Sequence, residues 1–195
     1  MNQLVSIVIP TYNREKELKR ALASVVKQTY QNWEAIVIDN HSSDNTEKSI
    51  LDFADPRIKL LKIHNNGVIA ASRNMGIRKA QGHWIAFLDS DDWWCPQKLS
   101  ESLKVAEREK ADIVYHDLYP VRKANQKFHL RVTKGWEVKK PVFKDLLRHG
   151  NALLNSSVLV KKSLLEKIGF LSEDTDKISW EDYDCWLRIS KITDR

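Results

Sequence analysis

Cysteine, glycine and long apolar runs are all scarce in this sequence, and the first and last of these exclude whole classes of protein. Two cysteines, Cys95 and Cys185, lie far apart without metal-ligand spacing. A disulfide scaffold is therefore excluded, and a reducing compartment is indicated. No apolar run approaches the roughly 20 residues of a membrane-spanning helix, and residues 1–4 lack the basic flank and apolar core of a signal peptide. We expect a cytoplasmic protein.

The chain is otherwise of ordinary globular composition, and its charge is concentrated in one segment. Its 195 residues suffice for one domain with a sizeable core. Residues 121–149 contain nine Lys and Arg but two acids, within a net charge of +6. A solvated surface explains this segment as well as an anionic contact does. The functional interpretation is contact with a lipid head group, a phosphorylated acceptor or nucleic acid, and the hypothesis is peripheral docking on the inner membrane leaflet. Among these, nucleic acid is not expected as a partner, because this segment lacks an aromatic-rich RNA motif.

Apolar runs alternate with helical patterns along most of the chain. The runs predict strands at residues 5–10, 33–39, 57–63, 84–88 and 112–116. Capping and apolar spacing predict helices at residues 14–28, 44–53, 68–80 and 96–109. This alternation predicts a mostly parallel sheet covered on both faces.

The regular alternation of strand and helix patterns ends after Asp117, where a smaller antiparallel portion is expected. The predicted strands there are residues 128–133 and 155–160, and the predicted helices are residues 141–149, 162–168 and one beginning near 180. We therefore interpret residues 1–195 as one domain of the α/β class. Its halves are residues 1–117 and 118–195.

The stretch at residues 84–94 organises the functional prediction. A buried strand tolerates no charge, so its three following carboxylates, Asp89, Asp91 and Asp92, begin where the chain leaves the core. Asp89 and Asp91 alternate with Ser90, and an extended chain directs both to the same side. Two hard oxygen ligands beside a sheet suit Mg²⁺ or Mn²⁺ together with substrate phosphates. The plainer interpretation is a loop of solvated or helix-capping acids.

Polar residues also follow the first two predicted strands. Tyr12 and Asn13 come after the first strand, and Asp39 ends the second. In a doubly wound sheet the carboxyl ends of parallel strands share one edge, where ligands bind. We therefore expect these residues to lie near Asp89 and Asp91.

Five segments, in this order, resemble family 2 glycosyltransferases. They are Val8-Ile9-Pro10-Thr11-Tyr12-Asn13, Asp39 at a strand end, Ser72-Arg73-Asn74-Met75-Gly76-Ile77, Phe87-Leu88-Asp89-Ser90-Asp91-Asp92 and Trp180-Glu181-Asp182-Tyr183-Asp184-Cys185-Trp186-Leu187-Arg188. The resemblance implies the GT-A fold, a divalent metal, a nucleotide-sugar donor and an inverting mechanism. The implied function is transfer of a sugar from a UDP-sugar to a glycan or lipid-linked acceptor, in surface polysaccharide biosynthesis.

The resemblance also implies roles for the residues near the donor. The implied roles are a nucleoside pocket for Pro10, Tyr12 and Asn13, uracil binding for Asp39, nucleotide binding for Arg73, a ribose or donor-sugar contact for Asp89 with Ser90, and metal binding for Asp91 with Asp89. Plainer interpretations exist for three of them. In these interpretations Asn13 only caps its helix, Asp39 only caps the turn after it, and Arg73 is only a surface residue of its helix.

Asp182 matches the catalytic base of the family, and Glu181 beside it is expected to bind the acceptor. An acceptor hydroxyl is a poor nucleophile, and a positioned carboxylate that takes its proton typically accelerates the reaction 10²–10⁴-fold. Attack opposite the leaving group inverts the anomeric centre. Asp184 is a rival base, and all three acids also favour a helix N-terminus. Trp93 and Trp94 are assigned equally to sugar stacking and to core packing.

The sequence departs from the family pattern at two places. Family members commonly have Asp-Asp-Gly-Ser where this chain has Asp39-Asn40-His41-Ser42, which lacks the second carboxylate and the glycine. Relatives usually continue well beyond the Glu181-Asp182 motif, whereas this chain ends at Arg195. A shortened or non-catalytic nucleotide-sugar-binding domain is therefore the alternative. A sugar nucleotidyltransferase or an Asp-x-Asp phosphatase fits less well, because the first loop has no glycine and Trp93 follows the acids.

Overall fold

The computed structural model describes residues 3–121 and 135–195. The strands in these ranges are β1 (Val5–Thr11), β2 (Trp33–Asp39), β3 (Ile58–Lys62), β4 (Trp84–Phe87), β5 (Ile113–Val114) and β6 (Leu159–Lys161). The helices are α1 (Glu15–Val26), α2 (Thr46–Leu51), α3 (Ile69–Lys79), α4 (Lys98–Arg108), α5 (Val142–His149), α6 (Lys162–Lys167) and α7 (Glu181–Ser190). Short 3₁₀ turns occur at Asn155–Ser157 and Thr175–Lys177.

The six strands form one sheet in the order β3-β2-β1-β4-β6-β5. β1 is parallel to both β2 and β4, and β2 is parallel to β3. β6 is antiparallel to β4 and β5. The prediction of a mostly parallel sheet with a small antiparallel part is therefore confirmed.

β1 and β2 are buried along their whole length, because helices cover both faces of the sheet. On one face, Ile7 and Ile9 pack among α1 and α4 residues such as Leu22 and Leu99. On the other, Val8 packs with residues of α3, α6 and α7. A strand buried on both faces reads as a continuous apolar run, which is why these strands were predictable.

Gly76 allows α3 to approach the sheet closely. A Cβ atom at this position would lie 2.7 Å from Val8 Cγ1 and 2.8 Å from Ile38 Cδ1, closer than packed atoms tolerate. The absent side chain therefore seats α3 directly on β1 and β2. This close packing fixes the distance of Arg73, one turn earlier on the same helix, from the sheet.

The predicted strand at residues 155–160 differs from the structure. Residues 155–160 do not form one strand, since a 3₁₀ turn occupies Asn155–Ser157 and β6 begins at Leu159. Ser and Asn side chains favour turns through local hydrogen bonds, as Ser157 Oγ does with Leu154 O. The predicted strand at residues 128–133 lies outside the described residues. None of the helices in the described ranges has the length and apolar character that crossing a bilayer requires.

Candidate active site

The ends of β1, β2 and β4 meet at one edge of the sheet. Thr11 at the end of β1 pairs with Asp39 at the end of β2. Val8 pairs with Phe87, two residues before Asp89. Parallel neighbours deliver their following loops to the same side. The predicted convergence of these strand ends is therefore confirmed by the strand order.

Asn13 links the loop after β1 to the loop after β2. Its backbone is in the left-handed region with φ 49°, which Asn tolerates better than most residues. Its Oδ1 accepts a hydrogen bond from Ser43 N at 2.8 Å, and its N–H donates to Ser42 Oγ at 2.8 Å. Pro10 lies buried within β1, and Tyr12 beside Asn13 is 55% exposed. An exposed ring at this edge is free to contact a ligand.

The interpretation of Asn13 as a helix cap is wrong. α1 begins at Glu15, and its first N–H groups are capped from a distant part of the chain. Arg14 N donates to Thr46 Oγ1 at 3.3 Å, and Glu15 N donates to Asp44 Oδ2 at 3.1 Å. The N-terminus of α1 is therefore held by the start of α2 rather than by its own preceding residue.

Asp39 is 1% exposed, and both of its carboxylate oxygens accept hydrogen bonds from the Ser42 N–H, at 3.1 and 3.2 Å. The turn-capping interpretation is thus realised, and the uracil contact stays a prediction. His41 in the same turn has φ 54° and stacks on His64 with ring centroids 3.6 Å apart. This positive φ explains why glycine suits the position in the resembled family.

Asp89 is held on several sides beyond the end of β4. Its Oδ1 accepts from Arg73 Nη2 at 2.8 Å and from Asn155 Nδ2 at 3.2 Å. Its N–H donates to Ser156 Oγ at 3.0 Å, and its side chain stays 31% exposed. Ser90, next in the chain, is buried. The carboxylate of Asp89 is therefore fixed in orientation yet reachable from solvent.

Asp91 and Asp92 differ in their surroundings. The Asp91 side chain is 51% exposed and forms a surface ion pair with Arg14 at 3.2 Å. Burial raises the pKa of Asp92, and the charges of Asp89 and Asp91 raise it further, although a hydrogen bond with Ser156 opposes them. Carboxylate oxygens are hard ligands, and the Asp91 carboxylate is accessible from solvent. These properties fit a divalent cation that takes its other ligands from phosphates. In the described ranges, no cluster of three or more His, Cys, Asp or Glu is placed to hold a metal without such help.

The two tryptophans after the acids lie in different environments. Trp94 is buried, and its Nε1 donates to Ser156 O at 2.8 Å, so it belongs to the core. Trp93 is partly exposed, with the Arg20 guanidinium 3.9 Å from its ring centroid. Sugar stacking stays a prediction for Trp93 alone.

The loop after β4 that contains Asp89, Asp91 and Asp92 is called the acid loop below. Arg73 bridges this loop and α7. It is 4% exposed, with Nη2 2.8 Å from Asp89 Oδ1 and Nη1 2.7 Å from Glu181 Oε1. The interpretation as a surface helix residue is therefore wrong. Burial by itself lowers the pKa of Arg73, but the two carboxylates outweigh it and raise the pKa. The predicted nucleotide contact is untested, and in this structure both terminal nitrogens already bind carboxylates.

Asn74, next to Arg73, anchors the chain that leads to α7. Its Nδ2 donates to Leu171 O at 2.9 Å, and its Oδ1 accepts from Leu171 N at 3.0 Å. Successive residues of α3 thus hold both the start of α7 and the loop before it. The carboxylates of α7 are positioned by a helix that itself rests on β1 and β2.

Asp182 and Asp184, the rival bases, have opposite surroundings. Burial raises the pKa of Asp182, and the charge of Glu181 adds to it. Asn151 Nδ2 donates to Asp182 Oδ2 at 3.2 Å. Asp184 forms ion pairs with Lys177 at 3.0 Å and Arg188 at 2.7 Å, and their effect outweighs burial and lowers its pKa. A carboxylate with a raised pKa is the better proton acceptor, so these contacts favour Asp182.

Sequence reasoning missed three residues of this site: Asn151, Asn155 and Ser156. Each contacts a predicted acid from more than 30 residues away along the chain. Neither apolar period nor capping pattern marks such residues. The available signal was a cluster of polar residues, Asn155-Ser156-Ser157, before an apolar run, which is typical of a turn at a strand entrance.

The sequence matches the family described as "Glycosyl transferase family 2" over residues 6–168. Two similar curated proteins of Escherichia coli are WfgD and WfaP, each named as a UDP-Glc:alpha-D-GlcNAc-diphosphoundecaprenol beta-1,3-glucosyltransferase. WfgD is 36% identical over 96% of this chain and 70% of its own length. WfaP is 32% identical over the same shares of the two chains.

Similar solved structures carry bound nucleotide sugars. Residues 1–349 of S. aureus TarS with UDP-GlcNAc give a TM-score of 0.80 at 20% identity, over 99% of this chain and 54% of that chain. The mannosyltransferase PcManGT of Pyrobaculum calidifontis, with GDP-Man and Mn²⁺, gives 0.65 at 21% identity, over 87% of this chain and 48% of that chain. This chain therefore spans about half of the solved chains, and the likeness confirms the predicted GT-A fold. By its sequence and its fold, the chain belongs to glycosyltransferase family 2.

Proposed function

We propose that this chain is the catalytic domain of an inverting, metal-dependent glycosyltransferase that moves a sugar from a UDP-sugar to a lipid-linked glycan acceptor. The observation that carries the proposal is the Arg73 bridge, which joins Asp89 at the donor edge to Glu181 beside Asp182. One guanidinium thus couples the proposed donor and acceptor sides. The E. coli relatives, named for a UDP-Glc donor and a diphosphoundecaprenol-linked acceptor, support this substrate class.

The donor half of the proposal uses the edge formed by β1, β2 and β4. Pro10, Tyr12 and Asn13 shape the nucleoside pocket, and Asp39 contacts the uracil. Asp89 and Ser90 contact the ribose or donor sugar. The rigid hydrogen bonding of Asn13 and Asp39 to Ser42 and Ser43 is the preorganisation that a binding site needs.

Asp91, with Asp89, would hold a divalent cation. Bound there, the cation would supply positive charge that neutralises the diphosphate of the leaving nucleotide. The Asp91 carboxylate is half-exposed and paired at the surface with Arg14, so it is accessible to a cation that also binds the diphosphate. The Mn²⁺ in the similar mannosyltransferase structure supports a divalent cation as the cofactor.

Asp182 acts as the general base. It accepts the proton of the attacking acceptor hydroxyl while the new glycosidic bond forms at the anomeric carbon and the bond to the diphosphate oxygen breaks. The nucleotide leaves with that electron pair, so a single displacement inverts the anomeric centre. Glu181 contributes to acceptor binding while its Oε1 holds Arg73.

The test separates donor binding from transfer. Asp182→Asn should retain UDP-sugar binding and lose transfer by about 10²–10⁴-fold, measured with a lipid-linked acceptor analogue. Asp184→Asn is the matched control, three-quarters buried on the same helix turn but already paired with cations. Its transfer rate should stay within a few-fold of wild type. Near-normal turnover in Asp182→Asn would assign the base elsewhere.

A second titration addresses the metal. UDP binding measured by calorimetry should strengthen with added Mn²⁺, and Asp91→Asn should remove that gain. Metal-independent binding, unchanged in the variant, would contradict the role of Asp91.

Membrane contact through residues 121–149 is part of the same proposal, although residues 122–134 lie outside the described ranges. In the described part, α5 carries Lys144 and Arg148 beside the exposed Leu147. Basic and apolar side chains together suit an anionic bilayer surface. Co-flotation with anionic vesicles should occur at low salt and be lost at high salt, and salt-insensitive or absent flotation would refute it.

A further inference from the structure

Three covered polar atoms lie around Asp89 with unused hydrogen-bonding capacity. Within residues 3–121 and 135–195, Asn155 Oδ1, Arg73 Nε and Glu181 Oε2 are buried and have no hydrogen-bond partner. The other polar atoms of these side chains form one connected network through Asp89 and Arg73. An unpaired buried polar atom is unfavourable, because it has lost its hydrogen bonds to water without replacing them. Three of them in one network indicate that a ligand group completes it.

Asn155 is presented by a rigid turn beneath the acid loop. The turn is buried, and Ser156 accepts from Asp89 N–H and, through its carbonyl, from Trp94 Nε1. Ser157 Oγ donates to Leu154 O at 2.6 Å and closes the turn. The carboxylate of Asp89 can only accept, so the Asn155 amide must direct Nδ2 towards it. This fixes Oδ1 as the free acceptor.

The unpartnered atoms define the chemistry of the group that would match them. Asn155 Oδ1 and Glu181 Oε2 are acceptors, whereas Arg73 Nε is a donor. A hydroxyl both donates and accepts, so adjacent hydroxyls of a sugar match this set. An anionic group does not, because the Asp89 and Glu181 carboxylates would repel it. The approach is past Asp89, whose side chain is 31% exposed.

We propose that Asn155 is a specificity-determining residue for the donor sugar. Its Oδ1 accepts a hydrogen bond from a hexose hydroxyl, while its Nδ2 orients Asp89. This inference rests on the proposed function, since it takes the sugar of the donor as the ligand. A site built to bond a sugar hydroxyl rejects the epimer that misplaces it far more strongly than an apolar pocket does.

The experiment compares UDP with a panel of UDP-sugars that differ in one hydroxyl, such as UDP-Glc and UDP-Gal. Binding is measured by calorimetry for wild type, Asn155→Ala and Asn155→Ser. Ser157→Ala, in the same turn but without contact to the acids, loosens the turn and so measures the structural part of the effect. Thermal unfolding of each variant checks that the domain is folded, and the smaller change to serine serves if alanine prevents folding.

The expected result separates a sugar contact from a structural role. UDP affinity should stay within about threefold, whereas affinity for the preferred UDP-sugar should fall about tenfold, the loss expected of one hydrogen bond. The preference between epimers should fall by the same factor. An equal loss for UDP and UDP-sugars, or unchanged epimer preference, overturns the inference and leaves the proposed function standing. Failure of the wild type to bind any nucleotide sugar overturns both.

Discussion

The proposed nucleoside edge and the proposed base side of this site are built from different interactions. At the nucleoside edge, the loops after β1 and β2 are joined by amide and hydroxyl hydrogen bonds of Asn13, Ser42 and Ser43 near the surface. On the base side, Arg73 joins Asp89 and Glu181 through ion pairs, of which that with Glu181 is buried and that with Asp89 is partly exposed. Neutral surface bonds contribute about 0.5–1.5 kcal/mol each, whereas breaking a buried ion pair costs about 3–5 kcal/mol. The two regions should therefore respond very differently to single substitutions.

The largest expected effect is that of Arg73→Ala. It leaves Glu181 buried and Asp89 about two-thirds buried with no cation between them, so the free energy of unfolding should fall by about 3–5 kcal/mol. Urea denaturation measures this. Arg78→Ala, at an exposed position of the same helix with a 3.9 Å contact to Glu173, should cost less than about 0.5 kcal/mol. Similar losses in both variants would remove the contrast between buried and surface charge.

A charge-neutral double variant sharpens the same comparison. Adding Glu181→Gln to Arg73→Ala removes one of the stranded charges and should recover about 1–2 kcal/mol of the lost stability. No recovery would mean that Arg73 acts through packing rather than through its ion pairs.

The next effect concerns Lys98, the first residue of α4. It is buried, with its Nζ 4.3 Å from the Trp94 ring centroid, and burial lowers its pKa to about 7. Within the described residues its Nζ has no hydrogen-bond partner. The folded state therefore binds fewer protons than the unfolded state between about pH 7 and pH 10.5. Stability should rise with pH across this window, by about 2 kcal/mol between pH 7 and pH 9.

Lys98→Met tests this directly. It removes the buried amine, so stability at pH 7 should rise and the dependence on pH between 7 and 9 should flatten in thermal unfolding. Lys104→Met, on the same helix but in an exposed pair with Glu101, should leave the pH dependence as in wild type. A wild-type protein whose stability is flat across this window would contradict the role of Lys98.

The sequence predicted those parts of the fold that local pattern determines. β1, β2 and β4 were recognisable because burial on both faces demands continuous apolar runs, and Asp89 and Asp91 because charge can begin only where such a run ends. The parallel order then followed from the alternation of strands and helices. Without coordinates, the same reasoning placed Asp39 and Asn13 at the edge that the structure describes.

Contacts between distant parts of the chain were beyond that reasoning. Arg73 and Glu181 are 108 residues apart, and their pairing depends on how closely α3 packs on the sheet. The choice between Asp182 and Asp184 likewise depends on Lys177 and Arg188, whose positions follow from the packing of α7. The helical period alone did not show which of the two acids points towards the site. What the sequence did not predict about the site depended on tertiary contacts, whereas what it did not predict about the fold concerned the bounds of single elements.

The smallest expected effect is at the nucleoside edge. Asn13→Gly removes the side-chain bond to Ser43 but keeps the left-handed backbone, which glycine adopts without strain. Unfolding free energy should fall by about 0.5–1 kcal/mol, measured beside Arg73→Ala. His41→Gly is the control, since relief at φ 54° offsets the lost stacking on His64. If Asn13→Gly instead costs as much as Arg73→Ala, the loops at this edge are as rigidly coupled to the core as the buried ion pairs, and the distinction between the two regions fails.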